Sequence, residues 1–159
     1  MTAWTVGLVA CGARKIGHLA PARDLYTGNL FRAASSYAAA TYDEWWILSA
    51  KHGLVHPNTP LDPYNIKLTD LSADRRRGWA HVVESDLREP SSSITPRPGL
   101  AERFTAGQQV HVFFHAGTAY RELLAPLIAR WSNTTIHRPL DGLAIGEQLR
   151  WYGNRNRPT

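Results

Sequence analysis

The alternation of apolar runs with amphipathic segments predicts strands and helices in regular succession. Apolar runs rich in aromatic and β-branched residues predict strands at residues 4–10, 45–49 and 109–115, and a further short strand is predicted at residues 134–137. Apolar positions at helical spacing predict a helix after each strand, at about residues 30–40, 73–89, 118–130 and 144–152. Strands that alternate with helices are typical of parallel sheets. The pattern therefore predicts an α/β protein, a three-layer αβα sandwich with a four-stranded parallel sheet, in one domain over residues 1–159.

Polar residues follow the predicted strands where each strand ends. They are Cys11, Lys51, His52, His115 and Arg138. Because the carboxyl ends of parallel strands lie at one edge of a sheet, and open α/β sheets bind ligands there, we expect these side chains to converge on one site.

The stretch at residues 45–68 carries the most distinctive candidate residues. Lys51 is a compact charge suited to a phosphate, and His52 titrates near neutral pH and could move a proton. The simpler alternative for His52 is a loop histidine bonded to a carbonyl. The loop that follows contains three prolines, at 57, 60 and 63, which favour a rigid segment that holds the carboxylate of Asp62 in place.

An excess of positive charge favours partners that carry phosphate. The chain has 18 Lys and Arg against 13 Asp and Glu, a formal charge of +5. Arg23 beside Asp24 is either a paired surface residue or a phosphate ligand, and the arginines at 75–77 are either a solvated helix face, starting after Ser72 as a predicted N-cap, or a phosphate contact. The candidate phosphate-binding residues are Lys15, Arg23, Lys51, Arg75, Arg76, Gly117, Thr118 and Arg138.

Composition excludes several classes of protein. A single cysteine cannot form an internal disulfide, and no Cys and His residues have the spacing of zinc ligands. No apolar run reaches the roughly 20 residues that span a bilayer. We therefore expect a cytoplasmic protein without a metal, cofactor or membrane partner, and we interpret residues 90–98 as a polar linker or surface loop. The sequence predicts no particular oligomeric state.

Four phrases resemble those of a family of small bacterial and phage domains. They lie at residues 11–15 (CGARK), 21–31 (PARDLYTGNLF), 48–54 (LSAKHGL, followed by Pro63-Tyr64) and 139–149 (PLDGLAIGEQL). The chain is also similar to the peroxide-stress YaaA family, which is associated with DNA, and to a module of archaeosine synthase, which acts in tRNA base modification. These resemblances imply a nucleic-acid or nucleobase context.

A second resemblance is to the uracil-DNA glycosylase superfamily. It is carried by Asp62-Pro63-Tyr64 and by His137, which Arg138 separates from Pro139. That superfamily has a four-stranded parallel sheet between helices, with a water-positioning Asp and a His after the last strand. The resemblance implies those roles for Asp62 and His137. Here the Asp-Pro-Tyr phrase follows the second predicted strand rather than the first.

Together these patterns predict a DNA glycosylase that excises a modified base, in the setting of defence against phage. Cleavage of an N-glycosidic bond passes through an oxocarbenium-like sugar, which a carboxylate can stabilise while a hydrogen-bond donor receives charge on the departing base. Asp62 is the predicted carboxylate, and His137 or His52 the donor. The candidate base and sugar contacts are Cys11, Gly12, Tyr26, Tyr64, His115 and Glu147.

Two other functions fit the same residues. One is a nucleoside or nucleotide N-glycosidase, or a deoxyribosyltransferase. Glu147 is either the nucleophile of such a transferase or a helix-surface residue near Arg150. The other is a protein that binds nucleic acid without catalysis, which predicts a steep salt dependence of binding and no effect of Asp62→Asn.

Overall fold

The structure, a computed structural model, describes residues 2–89 and 100–156. The strands are β1 (Trp4–Ala10), β2 (Ala20–Pro21), β3 (Glu44–Ser49), β4 (Gly53–Val55), β5 (Pro60–Leu61), β6 (Val110–His115) and β7 (Thr134–His137). The helices are α1 (Ala22–Leu25), α2 (Asn29–Thr41), α3 (Ala73–Arg88), α4 (Leu100–Thr105), α5 (Thr118–Ile128) and α6 (Ile145–Arg155), with a 3₁₀ turn at Leu68–Asp70. The loop predicted at residues 90–98 lies outside the described residues.

The main sheet has five strands in the order β4-β3-β1-β6-β7. Strands β3, β1, β6 and β7 are mutually parallel, which confirms the α/β class and the four predicted strands. Strand β4 pairs antiparallel with β3, in register from Ile47 with Val55 to Ser49 with Gly53. The prediction of a four-stranded, wholly parallel sheet is therefore wrong, because the sheet is mixed.

The reversal into β4 depends on Gly53. Its φ of +72° lies in the left-handed region, which a residue without a Cβ adopts at little cost. The chain can therefore turn back through Lys51 and His52 and pair at once with β3. A segment of three residues is too short to show a period, so the hydrophobic pattern contains no signal for this edge strand.

Strand β1 sends alternate side chains into two apolar clusters. Val6 and Leu8 belong to a cluster that contains residues of α3 and α5, such as Val83. Val9 belongs to a second cluster that contains residues of α2 and α6, such as Tyr152. Burial on both sides explains why the sequence of β1 is apolar nearly throughout.

The four predicted helices are present as α2, α3, α5 and α6 and differ from the predictions only at their ends, whereas the short helix α1 was not predicted. Ser72 precedes α3, and its Oγ accepts a hydrogen bond from the Arg75 N–H at 3.2 Å, which confirms the predicted N-cap. Helix α4 is an addition, since its six residues are too few for a clear helical period. In the described ranges, no helix is both long enough and apolar enough to cross a membrane.

A small two-stranded sheet anchors the loops beside the main sheet. Strands β2 and β5 pair antiparallel, with Ala20 opposite Leu61. A further bridge joins Lys15 to Tyr26. These pairings fix the backbone of the turn after β1 and of the segment that leads into Asp62.

Candidate functional site

A cavity of about 680 Å³, here called the large cavity, lies at the carboxyl ends of β1 and β6. The chain leaves β1 toward β3 on one side, whereas β6 pairs with β1 on the other, so the strand order reverses between β1 and β6. Open α/β sheets bind ligands at such a reversal, and the volume is within the range of small-molecule sites, about 300–1,000 Å³.

The large cavity combines apolar walls with a few polar groups at one end. Its apolar and aromatic lining includes Leu30, Phe31, Phe114, Leu140, Leu143, Ile145 and Tyr152. The polar groups are the N-terminus of α5 at Gly117 and Thr118, the guanidinium groups of Arg121 and Arg138, and the carboxylate of Asp141. The N–H groups that begin a helix favour an anion, so this end of the cavity is suited to a phosphate or carboxylate.

Arg121 and Asp141 form an ion pair at this polar end. Arg121 Nη1 donates to Asp141 Oδ1 at 2.9 Å, and Nη2 donates to Thr118 Oγ1 at 3.2 Å. The Arg121 hydrogen bond and charge hold the pKa of Asp141 below its usual range. The Asp141 side chain is 60% exposed, so the carboxylate is ionised and accessible beside the apolar walls.

His115 is a neutral part of the cavity wall. Its Nδ1 lies 2.7 Å from the Tyr152 hydroxyl, and its Nε2 is hydrogen-bonded to the Tyr42 hydroxyl. Burial lowers the pKa of His115 to about 4. The neutral ring donates from one nitrogen and accepts at the other, so both of its nitrogens are already engaged.

Cys11 and Tyr120 separate the large cavity from a smaller one. Cys11 Sγ lies 3.5 Å from the Tyr120 hydroxyl oxygen. Both residues, with Gly12, line the large cavity and also a neighbouring cavity of about 230 Å³, the small cavity. Burial raises the pKa of Tyr120 well above its usual range, so the hydroxyl is protonated.

A chain of hydroxyl groups, here called the tyrosine network, joins Tyr26, Tyr64 and Ser49. The Tyr64 hydroxyl lies 2.6 Å from both the Tyr26 hydroxyl and Ser49 Oγ. Ser49 Oγ in turn accepts the backbone N–H of His52 at 3.0 Å. Burial raises the pKa of Tyr26 to about 12, and the network is made of neutral groups that satisfy one another.

Two cationic side chains border the tyrosine network. Lys15 Nζ lies 4.3 Å from the centre of the Tyr64 ring and donates to the carbonyl oxygens of Gly12 and Ala13 at 3.3 Å each. Lys51 Nζ lies 5.9 Å from the same ring centre. The imidazole of His52 meets the Tyr64 ring edge to face, and burial and then Lys51 lower the pKa of His52. The proline-tyrosine phrase therefore packs against the LSAKHGL phrase.

Comparison with known proteins assigns the chain to a family. The model of the family described as "Family of unknown function (DUF6884)" matches residues 6–154. The chain belongs to the DUF6884 family. It is also 39% identical over 57 residues to "Uncharacterized protein YfjM" of Bacillus subtilis (strain 168). That match covers 32% of this chain and 38% of YfjM, so the chain spans well under half of the relative's length. No solved structure matches the chain significantly.

The large cavity of this DUF6884 protein brings together several of the residues predicted from sequence. They are Cys11, Gly12, His115, Gly117, Thr118 and Arg138. Lys15 lines the small cavity. Tyr26, Tyr64, Lys51 and His52 meet in or beside the tyrosine network instead, and they do not line the large cavity.

Asp62 and His137 lie apart from the large cavity. Asp62 is exposed, and it makes no hydrogen bond or ion pair with another described residue. His137 Nε2 lies 2.7 Å from Nδ1 of His111, and its ring is stacked on Phe113. Burial, and then His111, lowers the pKa of His137. Neither residue lines the large or the small cavity.

Four other predicted residues also lie elsewhere on the surface. Glu147 is exposed in the first turn of α6. Arg23 pairs with Asp24 and donates to Asn58, and it lines a different cavity. Arg75 and Arg76 lie in the first turn of α3 and line neither the large nor the small cavity.

Sequence reasoning missed the ion pair of Arg121 with Asp141, as well as Gln148 and Tyr120. Asp141 and Gln148 lie inside the PLDGLAIGEQL phrase at 139–149, which was a usable signal. No sequence signal marks Arg121, because a charged residue on a helix usually faces solvent. Among the described residues, no group of three or more His, Cys, Asp or Glu side chains is placed to hold a metal ion.

Proposed function

We propose that this protein is an N-glycosidic bond hydrolase, a DNA glycosylase that excises a modified nucleobase, and that the large cavity is its active site. The observation that carries the proposal is the combination in one cavity of apolar and aromatic walls, a helix N-terminus with two arginines, and an ionised carboxylate. A nucleotide needs these surfaces for its base, its phosphate and the charge that develops on its sugar.

The proposed roles follow from the chemistry of the lining. The phosphate binds the N-terminus of α5 and Arg138, while the base packs against Phe31 and Leu140. Asp141 orients water or stabilises the oxocarbenium-like sugar, and Arg121 holds that carboxylate in position.

Gln148 is the proposed donor to the departing base. It lines the cavity, and its Nε2 donates one of two hydrogens to the Leu143 carbonyl at 2.9 Å, which leaves the other hydrogen for a base.

The carboxylate is the point at which this mechanism departs from the sequence prediction. Asp62 is exposed and outside the cavity, whereas Asp141 lines it and is ion-paired. The relationship to the uracil-DNA glycosylase superfamily stays part of the proposal. The three-layer arrangement is also part of the proposal. In it, α2 and α6 cover one side of the sheet, and α3 and α5 cover the other.

A second candidate is an N-glycosidase or deoxyribosyltransferase that acts on free nucleosides or nucleotides. The volume of the large cavity favours this candidate, because about 680 Å³ suits one small ligand without a longer strand. Its predicted nucleophile, Glu147, does not line the cavity, so Asp141 takes that role as well.

Release of free base tests the proposal. The protein is incubated with phage DNA that carries modified bases, with unmodified DNA and with free nucleotides, and released base and alkali-sensitive abasic sites are measured. We expect base from the modified DNA. We expect Asp141→Asn to slow that release about 10³-fold, which is the scale of a lost acid–base or electrostatic group.

Asp62→Asn is the matched control, because it makes the same change in another exposed carboxylate. We expect its rate to stay within about threefold of the wild type, since surface substitutions have small effects. Inactivation by Asp62→Asn alone would assign the chemistry to Asp62. Absence of released base from every substrate would leave a protein that binds nucleic acid without catalysis.

A further inference from the structure

The small cavity adjoins the large one but has a different lining. It lies between the turn after β1, residues 65–69 and the first turn of α5. Its walls include the half-exposed Ile66, which is 37% accessible, and the buried Leu68. Polar side chains of Asn65, Thr69 and two lysines complete it. The small cavity therefore offers a small ligand both apolar contact and positive charge.

The lysines of the small cavity are not neutralised by an ion pair. Lys15 Nζ is held by two backbone carbonyls and the Tyr64 ring, so the ammonium has a fixed position. Lys67 is exposed, and its side chain makes no ion pair within the described residues. The Asp70 carboxylate contacts this segment through the backbone, since it accepts the N–H of Lys67 at 3.0 Å. An anion could thus approach both ammonium groups.

The two cavities share one wall. It consists of Cys11, Gly12 and Tyr120, which face both sides, and its closest side-chain contact is the 3.5 Å approach of Cys11 Sγ to the Tyr120 hydroxyl. Cationic groups stand on each side of it, arginines in the large cavity and lysines in the small one. A ligand with two linked anionic units fits this arrangement better than a ligand with one.

We propose that the small cavity binds the nucleotide next to the one in the large cavity, so that the ligand is a polynucleotide strand rather than a free nucleotide. This inference rests on the proposed function, and it deepens it by assigning a binding site to the neighbouring nucleotide of the strand. Lys15 and Lys67 contact the backbone phosphate of the neighbouring nucleotide, while Ile66 and Leu68 contact its base or sugar. A free mononucleotide occupies only the large cavity.

Binding measurements separate the two cavities. The probes are the four deoxynucleoside 5′-monophosphates and a single-stranded decamer of random sequence, with affinities measured by calorimetry and by fluorescence anisotropy. We expect Lys67→Ala to weaken decamer binding about tenfold, the scale of one lost charge-assisted contact, and to leave mononucleotide affinity unchanged. The slope of log affinity against log salt should fall by about 0.7, which corresponds to one phosphate contact on a single strand.

Arg130→Ala is the matched control, because Arg130 is an exposed cation beyond the other end of α5. We expect it to keep the decamer affinity of the wild type. Equal weakening by Lys67→Ala and Arg130→Ala would overturn the inference, since it would mean that the strand responds only to overall charge.

The same experiment keeps the two proposals distinguishable. Specific weakening by Lys67→Ala in a protein that releases no base would support the small-cavity site and count against the glycosylase. Base release that is equally fast from free nucleotides and strands, and insensitive to Lys67→Ala, would overturn the small-cavity site and leave N-glycosidic hydrolysis in place.

Discussion

The large cavity and the tyrosine network lie at the same edge of the sheet, but their polar groups are in different states. In the tyrosine network the hydroxyls of Tyr26, Tyr64 and Ser49 satisfy one another and the backbone. In the large cavity an ionised Asp141 and the guanidinium of Arg138 face open space beside apolar walls. The LSAKHGL and Pro63-Tyr64 phrases therefore build a support of mutually satisfied groups, whereas the groups free to act on a ligand come from other parts of the chain, including the PLDGLAIGEQL phrase.

The largest predicted effect on stability comes from acidification, which protonates His115 in the wall of the large cavity. Its pKa of about 4 lies below the value of about 6.5 in the unfolded chain, so the unfolded state binds more protons between these values. The stability that comes from neutral His115 is fully present above about pH 6.5 and is lost as pH falls toward 4. We expect this group alone to lower the free energy of unfolding by roughly 2.5 kcal/mol between pH 7 and pH 4.5.

Urea denaturation of the wild type and of His115→Gln at both pH values isolates this contribution from that of the carboxylates. The variant should be less stable at pH 7 but should lose about 2.5 kcal/mol less than the wild type on acidification. The same pH dependence in both proteins would mean that His115 is not held neutral by the fold.

The tyrosine network should show a smaller effect, and on stability rather than on chemistry. Tyr64→Phe removes the hydroxyl that bonds both Tyr26 and Ser49, and both partners are buried. We expect a loss of about 2 kcal/mol, because the buried hydroxyl of Tyr26 loses this partner and Ser49 Oγ keeps only the His52 N–H. Urea denaturation measures this loss.

A double-mutant cycle shows whether the network acts as a unit. Tyr26→Phe removes the other phenol, and the double variant should lose clearly less than the sum of the single losses. Additive losses would contradict the network. If Tyr64→Phe lowers the rate of base release under conditions where the variant is fully folded, Tyr64 belongs to the active site.

Local sequence signals predicted the four parallel strands of the sheet but missed β4 at one edge. The bounds of β1 agree with the hydrophobic pattern, because a strand buried on both sides needs a continuous apolar run. Strand β4 was not predicted, because it has only three residues and its pairing with β3 depends on the turn at Gly53. The carboxyl edge was identified correctly for Cys11, His115 and Arg138, since the ends of parallel strands must meet there.

The carboxylate that we propose as catalytic could not be predicted in the same way. Asp62 and Asp141 each follow a proline by two residues and stand in loops, and the local sequence favours Asp62 through its proline-rich loop and its Asp-Pro-Tyr phrase. What separates them is the contact of Asp141 with Arg121, a residue 20 positions away on α5. Such long-range contacts depend on how the helix packs, and the periodicity of a single segment does not contain that information.

The most direct test of the central claim is an NMR titration that locates the bound nucleotide. The protein is labelled with ¹⁵N and titrated with an equimolar mixture of the four deoxynucleoside 5′-monophosphates. We predict amide shift changes at Gly12, Gly117 and Gly142 around the large cavity. Shift changes confined to Gly53, Asp62 and Tyr64 would place the ligand at the proline-rich loop and contradict the account.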